Sequence, residues 1–524
     1  MRTISSHLAK LIHILALIIL ASNLNAQMEL VYNTNLINGL NISLPLFGTV
    51  NVTVDWGDGH IDQYTNDGHH EHSYAIEGSY IVTITGTLTQ FGPQIGYNAL
   101  ALISVNSFGE LGLTSLDGAF KNADSLENVP LLLPTTIVSL SECFQFINQE
   151  SIENLNSWDL TNVINMRRMF NAASSFNQDI GNWNVGNVTN MSDMFRSTDS
   201  FNQDIGNWDV SNVTNMNSMF YYADSFNQDI GGWNVSNVTE MGNMFYLASS
   251  FNQDIGDWDV SNVNNMCWIF GAASVFNQDI GDWDVSNVID MYGMFKNAST
   301  FNQDIGNWNV SNVIDMSHMF HAAESFNQDI GLWDVGNVTH MYAMFSETST
   351  FDQDIGNWNV SNVTDMGHMF YNTESFNQNI DNWDVSKVNN MFKMFYETAS
   401  FNQDISNWCV EQIPTLPTDF STGCPLLPEY HPNWGEECDT TAYVNDLQLQ
   451  YPIRIYPNPT KDYLVIDVKT EEVKDITVYN HLSQRVFNTI TFSGVLDVSR
   501  LRPGLYMLVV ITNEKRFKQK LIIR

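Results

Sequence analysis

From residue 158 to residue 408 a tryptophan recurs every 25 residues, and the apolar positions around it recur with it. Residues 201–220, FNQDIGNWDVSNVTNMNSMF, show the unit. Val213, Met216, Met219 and Phe220 fall at i, i+3, i+6 and i+7, a spacing that predicts one apolar face of a short helix. Asp209, Ser211 and Asn212 stand just before it as candidate N-caps. Phe201, Gln203 and Ile205 alternate with Asn202 and Asp204, which predicts a short strand, and Gly206 permits a bend after it. Neither element can bury its apolar side alone, so copies must stack on one another. Ten copies begin at Phe176, Phe201, Phe226, Phe251, Phe276, Phe301, Phe326, Phe351, Phe376 and Phe401, the last incomplete, after two degenerate ones at 116–120 and 140–144. The expected centre of the chain is an α/β solenoid of 25-residue repeats.

The third position is Gln in every copy, from Gln178 to Gln403. Sharing the expected face with Phe and Ile, it reads with the Asn of position twelve as an internal ladder that bonds copy to copy. The paired methionines read as core fillers. At position four Asp204, Asp229, Asp254, Asp279 and Asp304, with Asp179, Asp329, Asp354 and Asp404, would form a column with a spacing of about 5 Å. Such a column needs relief from water, backbone N–H donors or a cation, and calcium is the cofactor it would suit. No Gly-rich calcium loop accompanies it, so solvated or backbone-bonded carboxylates are the competing reading. Positions 17, 18 and 21 vary and collect rings: Tyr221, Tyr246, Trp268, Tyr292, His318, His321, Tyr342, His368, Tyr371, Phe392 and Tyr396. Exposed aromatics are enriched at binding patches, which makes these the candidate ligand-binding residues, with drift after duplication as the competing account.

The pattern changes at both ends. Turn residues in Trp56-Gly57-Asp58-Gly59, followed by alternation over residues 79–84, predict a small antiparallel β-sandwich at 27–97. His60, His69, His70 and His72 lie there without metal-ligand spacing and read as loop residues. After the last repeat, a Pro-rich stretch to residue 438 should cap the array, and 439–450 reads as a linker. Residues 451–524 return to short alternating strands. At the other end an apolar run at 11–20, behind Arg2 and Lys10 and before Asn25-Ala26-Gln27, reads as a signal peptide at 1–26. No later segment is apolar enough to span a bilayer, so no transmembrane segment is expected in the mature chain.

Charge narrows the partners. Between residues 27 and 450 there are seven Lys and Arg against 51 Asp and Glu, which argues against nucleic acid and anionic membrane. Cys143 and Cys267 stand apart, while Cys409, Cys424 and Cys438 crowd the capping stretch without a zinc spacing. No G-x-S-x-G, H-E-x-x-H or P-loop motif occurs, and a non-enzymatic role is expected.

Three family resemblances add to this reading. The repeat resembles the bacterial surface-protein family with the pattern W-D-V-S-N-V-T-N-M-x-x-M-F, over residues 98–438. It implies a leucine-rich-repeat-like solenoid at the cell surface, of adhesin type. In that family a W-C-V near the last repeat and a later W-G-x-x-C are typical, which implies a disulfide between Cys409 and Cys438. Trp56-Gly57-Asp58-Gly59, His72-Ser73-Tyr74 and residues 78–82 look like a polycystic-kidney-disease-type domain. Tyr456-Pro457-Asn458-Pro459, Pro503-Gly504 and Tyr506 resemble the C-terminal sorting domain of type IX secretion, a small β-sandwich. This implies handling by that machinery and export across the outer membrane to the cell surface or medium. The resulting expectation is a multidomain chain, β-sandwich, solenoid, β-sandwich, that binds or adheres to an extracellular protein or polysaccharide. A structural coat or spacer, stiffened by calcium, is the alternative.

Overall fold

The computed structural model describes residues 26–92 and 98–438, then 453–456, 460–461, 463–468, 473–480, 485–489, 494–512 and 516–523. Residues 1–25 of the expected signal peptide at 1–26, and all of the expected linker at 439–450, lie outside the described residues. There are two compact units, one ending at Glu436 and one beginning at Glu437.

The first unit opens with six antiparallel strands: β1 (Met28–Asn33), β2 (Asn41–Asp55), β3 (Ile61–Tyr64), β4 (Gly68–Ser73), β5 (Ser79–Phe91) and β6 (Leu102–Phe108). They form one sheet in the order β3-β2-β5-β1-β6, with β4 also on β2, and not the two facing sheets of the expected sandwich. The reason lies in two long strands that change partners. β2 pairs with β4 over Asn41 to Leu46 and with β3 over Val52 to Asp55. Its register against β5 shifts between Phe47 and Val50, where Gly48 takes a φ of 72°. A single sheet can therefore bend over its own apolar face. Trp56 closes that core: it is fully buried, its Nε1 donates to Asp62 Oδ2 at 2.8 Å, and its carbonyl accepts the Tyr74 hydroxyl at 2.9 Å.

Repeats follow without a break in the core, and one buried apolar cluster runs from Met28 to Leu426. Parallel bridges Gln90–Ser115 and Ser104–Asn128 join β5 and β6 to the first turns. From there a bridge links position 15 of each turn to the next, as in Asn190–Asn215–Glu240–Asn265.

The α/β solenoid of leucine-rich-repeat type does not form. No α-helix occurs among the described residues, only three 3-10 turns of three residues, at Thr34–Leu36, Leu155–Ser157 and Pro428–Tyr430. The backbone hydrogen bonds explain why. Met219 N, Tyr221 N and Ala223 N donate three residues back, to Met216, Ser218 and Phe220, at 3.0–3.2 Å. The intervening amides leave the turn: Met216, Ser218, Phe220 and Tyr222 donate to Glu240, Gly242, Met244 and Tyr246 of the next copy at 2.8–2.9 Å. A helix would satisfy all these groups within the copy and leave nothing to hold neighbours together. The chain instead runs as consecutive tight turns, with Ser218 (φ 56°) and Tyr222 (φ 58°) left-handed. Each such residue costs on the order of 1 kcal/mol, offset by the rung it makes possible. Val213, Met216, Met219 and Phe220 are nevertheless all buried.

Nor do residues 201–205 form a strand, since side chains rather than backbone make the rungs on that side. Asn202 Oδ1 accepts Asn227 N at 2.9 Å and Gln228 Nε2 at 3.0 Å. Gln228 is thus half-buried and bonds the preceding Asn, not the preceding Gln. From Trp208 to Trp408 each indole donates to the Ile carbonyl of the preceding turn, Trp233 to Ile205 at 3.1 Å. The Asn of position twelve does make a ladder, but an exposed one to backbone, Asn237 to Ser211 O at 2.7 Å. Equivalent rings here lie 6.1 Å (Phe201–Phe226) and 6.5 Å (Trp233–Trp258) apart. Backbone rungs hold strands at about 4.8 Å, so a carboxamide or indole is needed to span the wider gap.

Gly at position six has a similar origin. A Cβ on Gly206 would lie 2.4 Å from the carbonyl of Asp229 in the next turn, and the equivalent distance is 2.4–2.6 Å in all eight such turns. Asp381 occupies this position in the ninth, and its Oδ1 is buried without a hydrogen-bond partner. Asp381→Gly is expected to stabilise the array by about 1 kcal/mol, read as a raised urea midpoint at unchanged slope. A lowered midpoint would mean that this turn has its own use for the carboxylate.

The second unit comprises β7 (Ile453–Tyr456), β8 (Tyr463–Val468), β9 (Val473–Asn480), β10 (Arg485–Thr489), β11 (Val495–Asp497), β12 (Gly504–Thr512) and β13 (Arg516–Ile523). Its two antiparallel sheets, β10-β9-β12-β13 and β11-β8-β7, share a core that includes Leu464, Ile466, Val478, Leu508 and Leu521.

Candidate functional site

Met216, Met219 and Phe220 in the turn that begins at Phe201 are buried in the core, as are Met266, Ile269 and Phe270 in the turn that begins at Phe251. At positions 17, 18 and 21 the rings are half-buried or exposed, while small residues there such as Ser218, Ser317 and Ser346 are buried. The rings found there join into one stripe. Tyr221, Tyr246, Trp268, Tyr292, His318, Tyr342, His368 and Phe392 come one from each of eight successive turns. Their consecutive centroid distances are 4.9, 5.2, 5.3, 5.4, 5.2, 5.4 and 5.2 Å. Tyr371 and Tyr396 stack beside its end at 5.1 Å. Most of these rings are half-buried, with Phe392 39% exposed.

Glycines make the floor. A Cβ on Gly293 would lie 2.9 Å from the Trp268 ring, one on Gly271 2.8 Å from Tyr246, and one on Gly367 3.1 Å from Tyr342. Large and small residues thus exchange places along the variable columns, and the rings lie along the surface.

Reading the columns only for rings missed their charge. Of the seven cations between residues 27 and 450, six lie on this face; only Lys387 is elsewhere, bonded to Asn362 at 2.7 Å. Lys121, Glu142, Arg167, Arg168, Asp193 and Arg196 form a chain of ion pairs at 3.2–3.6 Å that leads into the stripe. Arg196 then covers Tyr221 at 4.2 Å, Lys296 covers Trp268 at 5.1 Å, and Lys393 covers Tyr396 at 4.8 Å. Tyr222, 42% exposed and 5.1 Å from Tyr221, also escaped the sequence reading. The signal was present, since all these residues fall in the same three columns or the one beside them.

Electrostatics divide the face. Burial and then the field of Asp315 raise the Tyr292 phenol; burial and then Asp365 raise that of Tyr342. Burial, followed by Lys296, pushes His318 and His321 down to about 4, and burial followed by Lys393 lowers His368. Their imidazoles are therefore neutral at ordinary pH. The Nδ1 atoms of His318 and His321 are buried and have no hydrogen-bond partner.

The Asp column behaves differently. Asp204, Asp229, Asp254, Asp279 and Asp304 are exposed, and each Oδ1 accepts the amide two residues on at 3.0 Å. Among the described residues the only convergence of three metal-type ligands is Cys409, Glu411 and Cys438. Both of those cysteines are disulfide-bonded, and Cys143, Cys267 and Cys424 are free, which leaves Cys409 and Cys438 paired with each other. In the N-terminal sheet His72 bonds Asp58 at 2.9 Å and stacks on Trp56 at 4.7 Å. Of the sorting-motif residues, Pro457, Asn458 and Pro459 lie outside the described residues; Tyr456 ends β7. Pro503 and Gly504 lead into β12, where the Tyr506 hydroxyl donates to Arg502 O at 2.9 Å.

No helix among the described residues is long and apolar enough to cross a membrane. Comparison with curated proteins found no match. The family model for the secretion system C-terminal sorting domain matches residues 454–524. This sorting domain marks the protein for the type IX machinery and for secretion across the outer membrane to the cell surface or extracellular space. The model described as Mycoplasma protein of unknown function, DUF285, matches residues 138–258, 248–351 and 325–424, together more than half of the chain and all within the stacked turns. The chain is thus a repeat protein with a secretion tail, and it belongs to the DUF285 family.

Proposed function

We propose that this protein is a surface-displayed binding protein, an adhesin without catalytic activity, and that the aromatic stripe is its binding face. The observation that supports this most is the continuity of the stripe: eight turns each supply one ring at nearly constant spacing. Drift after duplication would scatter rings over columns and turns without such regularity. Half-exposed rings joined in a row also offer the kind of large, rigid contact that dominates binding energy at little entropic cost.

The test uses the full mature chain against immobilised matrix proteins and polysaccharides, with calcium and again with EDTA. Selective binding that falls at least tenfold in a Tyr246→Ala, Trp268→Ala, Tyr292→Ala variant is the expected result. Equal binding by that variant, or no selective binding in either condition, would leave the array as a coat or spacer.

A further inference from the structure

The stripe has a direction, a pitch and a charge pattern, and together they narrow its ligand. We infer that it takes an uncharged, extended, β-linked polysaccharide lying parallel to the stack, one sugar ring to one turn. The inference rests on the binding reading above and adds the ligand class to it.

Pitch comes first. The rings repeat every 4.9–5.4 Å along eight turns. One pyranose residue in an extended chain advances by a similar length, about that of the sugar ring and one glycosidic oxygen. A polymer laid along the stripe therefore meets an equivalent ring at each residue and does not fall out of step. Nucleotides are longer per step when extended, and a peptide strand is shorter, about 3.3 Å per residue.

Surface chemistry comes second. A pyranose has apolar C–H faces and a rim of hydroxyls. The stripe supplies aromatic faces, and along its length it supplies groups of both signs and of none. Lys296 and Lys393 donate, Asp315 and Asp365 accept, and the uncharged phenols of Tyr292 and Tyr342 can pair with a hydroxyl in either sense. A hydroxyl both donates and accepts, so it can use each of these groups.

Charge comes third. An anionic polymer would have to lie on an array with 42 carboxylates and seven cations over residues 98–438, and the three arginines at one end are already paired with Glu142 and Asp193. A cationic polymer would meet Lys296 and Lys393 placed over the rings. An uncharged chain pays neither penalty.

Calorimetric titration of the full mature chain with cello-oligosaccharides of increasing length tests this. Affinity should rise at least tenfold from cellobiose to cellohexaose, because each added residue meets another ring. Trp268→Ala with Tyr292→Ala should lose at least tenfold toward cellohexaose, while Trp268→Phe with Tyr292→Phe should stay within about threefold, RT ln 3 being under 1 kcal/mol. Matching thermal melts of the two variants show that the turns remain folded. Polygalacturonate, an α-linked pyranose polymer with a carboxylate on each residue, should bind at least tenfold more weakly, as should single-stranded oligothymidylate. Tighter binding of polygalacturonate, oligothymidylate or a matrix protein, lost in the Ala variant, would overturn the uncharged-polysaccharide inference and leave the stripe a binding face. Cello-oligosaccharide binding that the Ala variant retains, or that does not grow with length, would overturn the placement along the stripe. No binding of any probe would overturn both.

Discussion

Phe295→Ala should cost about 3–5 kcal/mol and split the unfolding of the array into two transitions. Phe295 is fully buried and stacks on Phe301 at 4.0 Å within its own repeat junction. It also faces Phe270 at 5.8 Å and Phe320 at 5.7 Å, the same ring in the turns before and after. In a stack each turn is stabilised by its neighbours, so the lost contacts belong to two junctions near the middle of the array. Those weakened junctions uncouple the halves, and the half joined to the N-terminal sheet, whose strands supply the first rungs, should outlast the other. Urea unfolding followed by tryptophan fluorescence reads this directly, since every turn carries its own indole. Ile289→Ala, at a site 48% exposed, is the control and should stay within about 0.5 kcal/mol of the parent. A single transition in Phe295→Ala, displaced no more than the control, would contradict a core that is continuous through these rings.

How the turns fold was only partly legible in the chain. Which residues go inside followed from spacing: Val213, Met216, Met219 and Phe220 are buried as the pattern required. Their conformation did not follow, because intervals of three and one residues suit a helix and a run of tight turns equally. What separates the two is the destination of alternate amides, and that depends on having an identical neighbour 25 residues away. A clue was available at positions 18 and 22, where Ser218, Asn243, His318 and Asn372 are left-handed, but a single helical window gives no reason to weigh it. Gln228 was misplaced because alternation presumes a strand, and a segment tied by side-chain rungs need not alternate. The single N-terminal sheet was not legible in the turn residues at 56–59 or the alternation over 79–84, because it depends on β2 continuing through Pro45 and bending near Gly48. At the candidate site the rings were visible as variable columns. Arg196, Lys296 and Lys393 were not, since charge had been weighed as a balance over the whole array and not position by position.

Acidification from pH 7 to pH 4 should cost the array roughly 2–3 kcal/mol through His318 and His321 together, after allowance for their partial exposure. Burial of both rings, with Lys296 beside them, brings their pKa from the ordinary 6.5 to about 4. Asp315 opposes the shift at His318, His368 reinforces it at both, and Tyr292 and Tyr342 pack against the His318 ring. Since the folded pKa lies below the unfolded one, the unfolded chain takes up protons first as the pH falls. Stability is therefore unaffected above about pH 6.5, declines between there and about pH 4, and changes no further through these groups below that. Carboxylates held low by turn hydrogen bonds, such as Asp209 and Asp259, lose their contribution only as the pH falls through values below 3.8, so the two windows are distinct. His318→Asn with His321→Gln removes both titrating rings and keeps a residue tolerant of the left-handed backbone at 318 (φ 58°). Urea midpoints for the parent should drop between pH 6.5 and 4, while those of the double variant should stay nearly level over the same interval. Parallel curves would mean that the two imidazoles are already solvated enough to protonate in place.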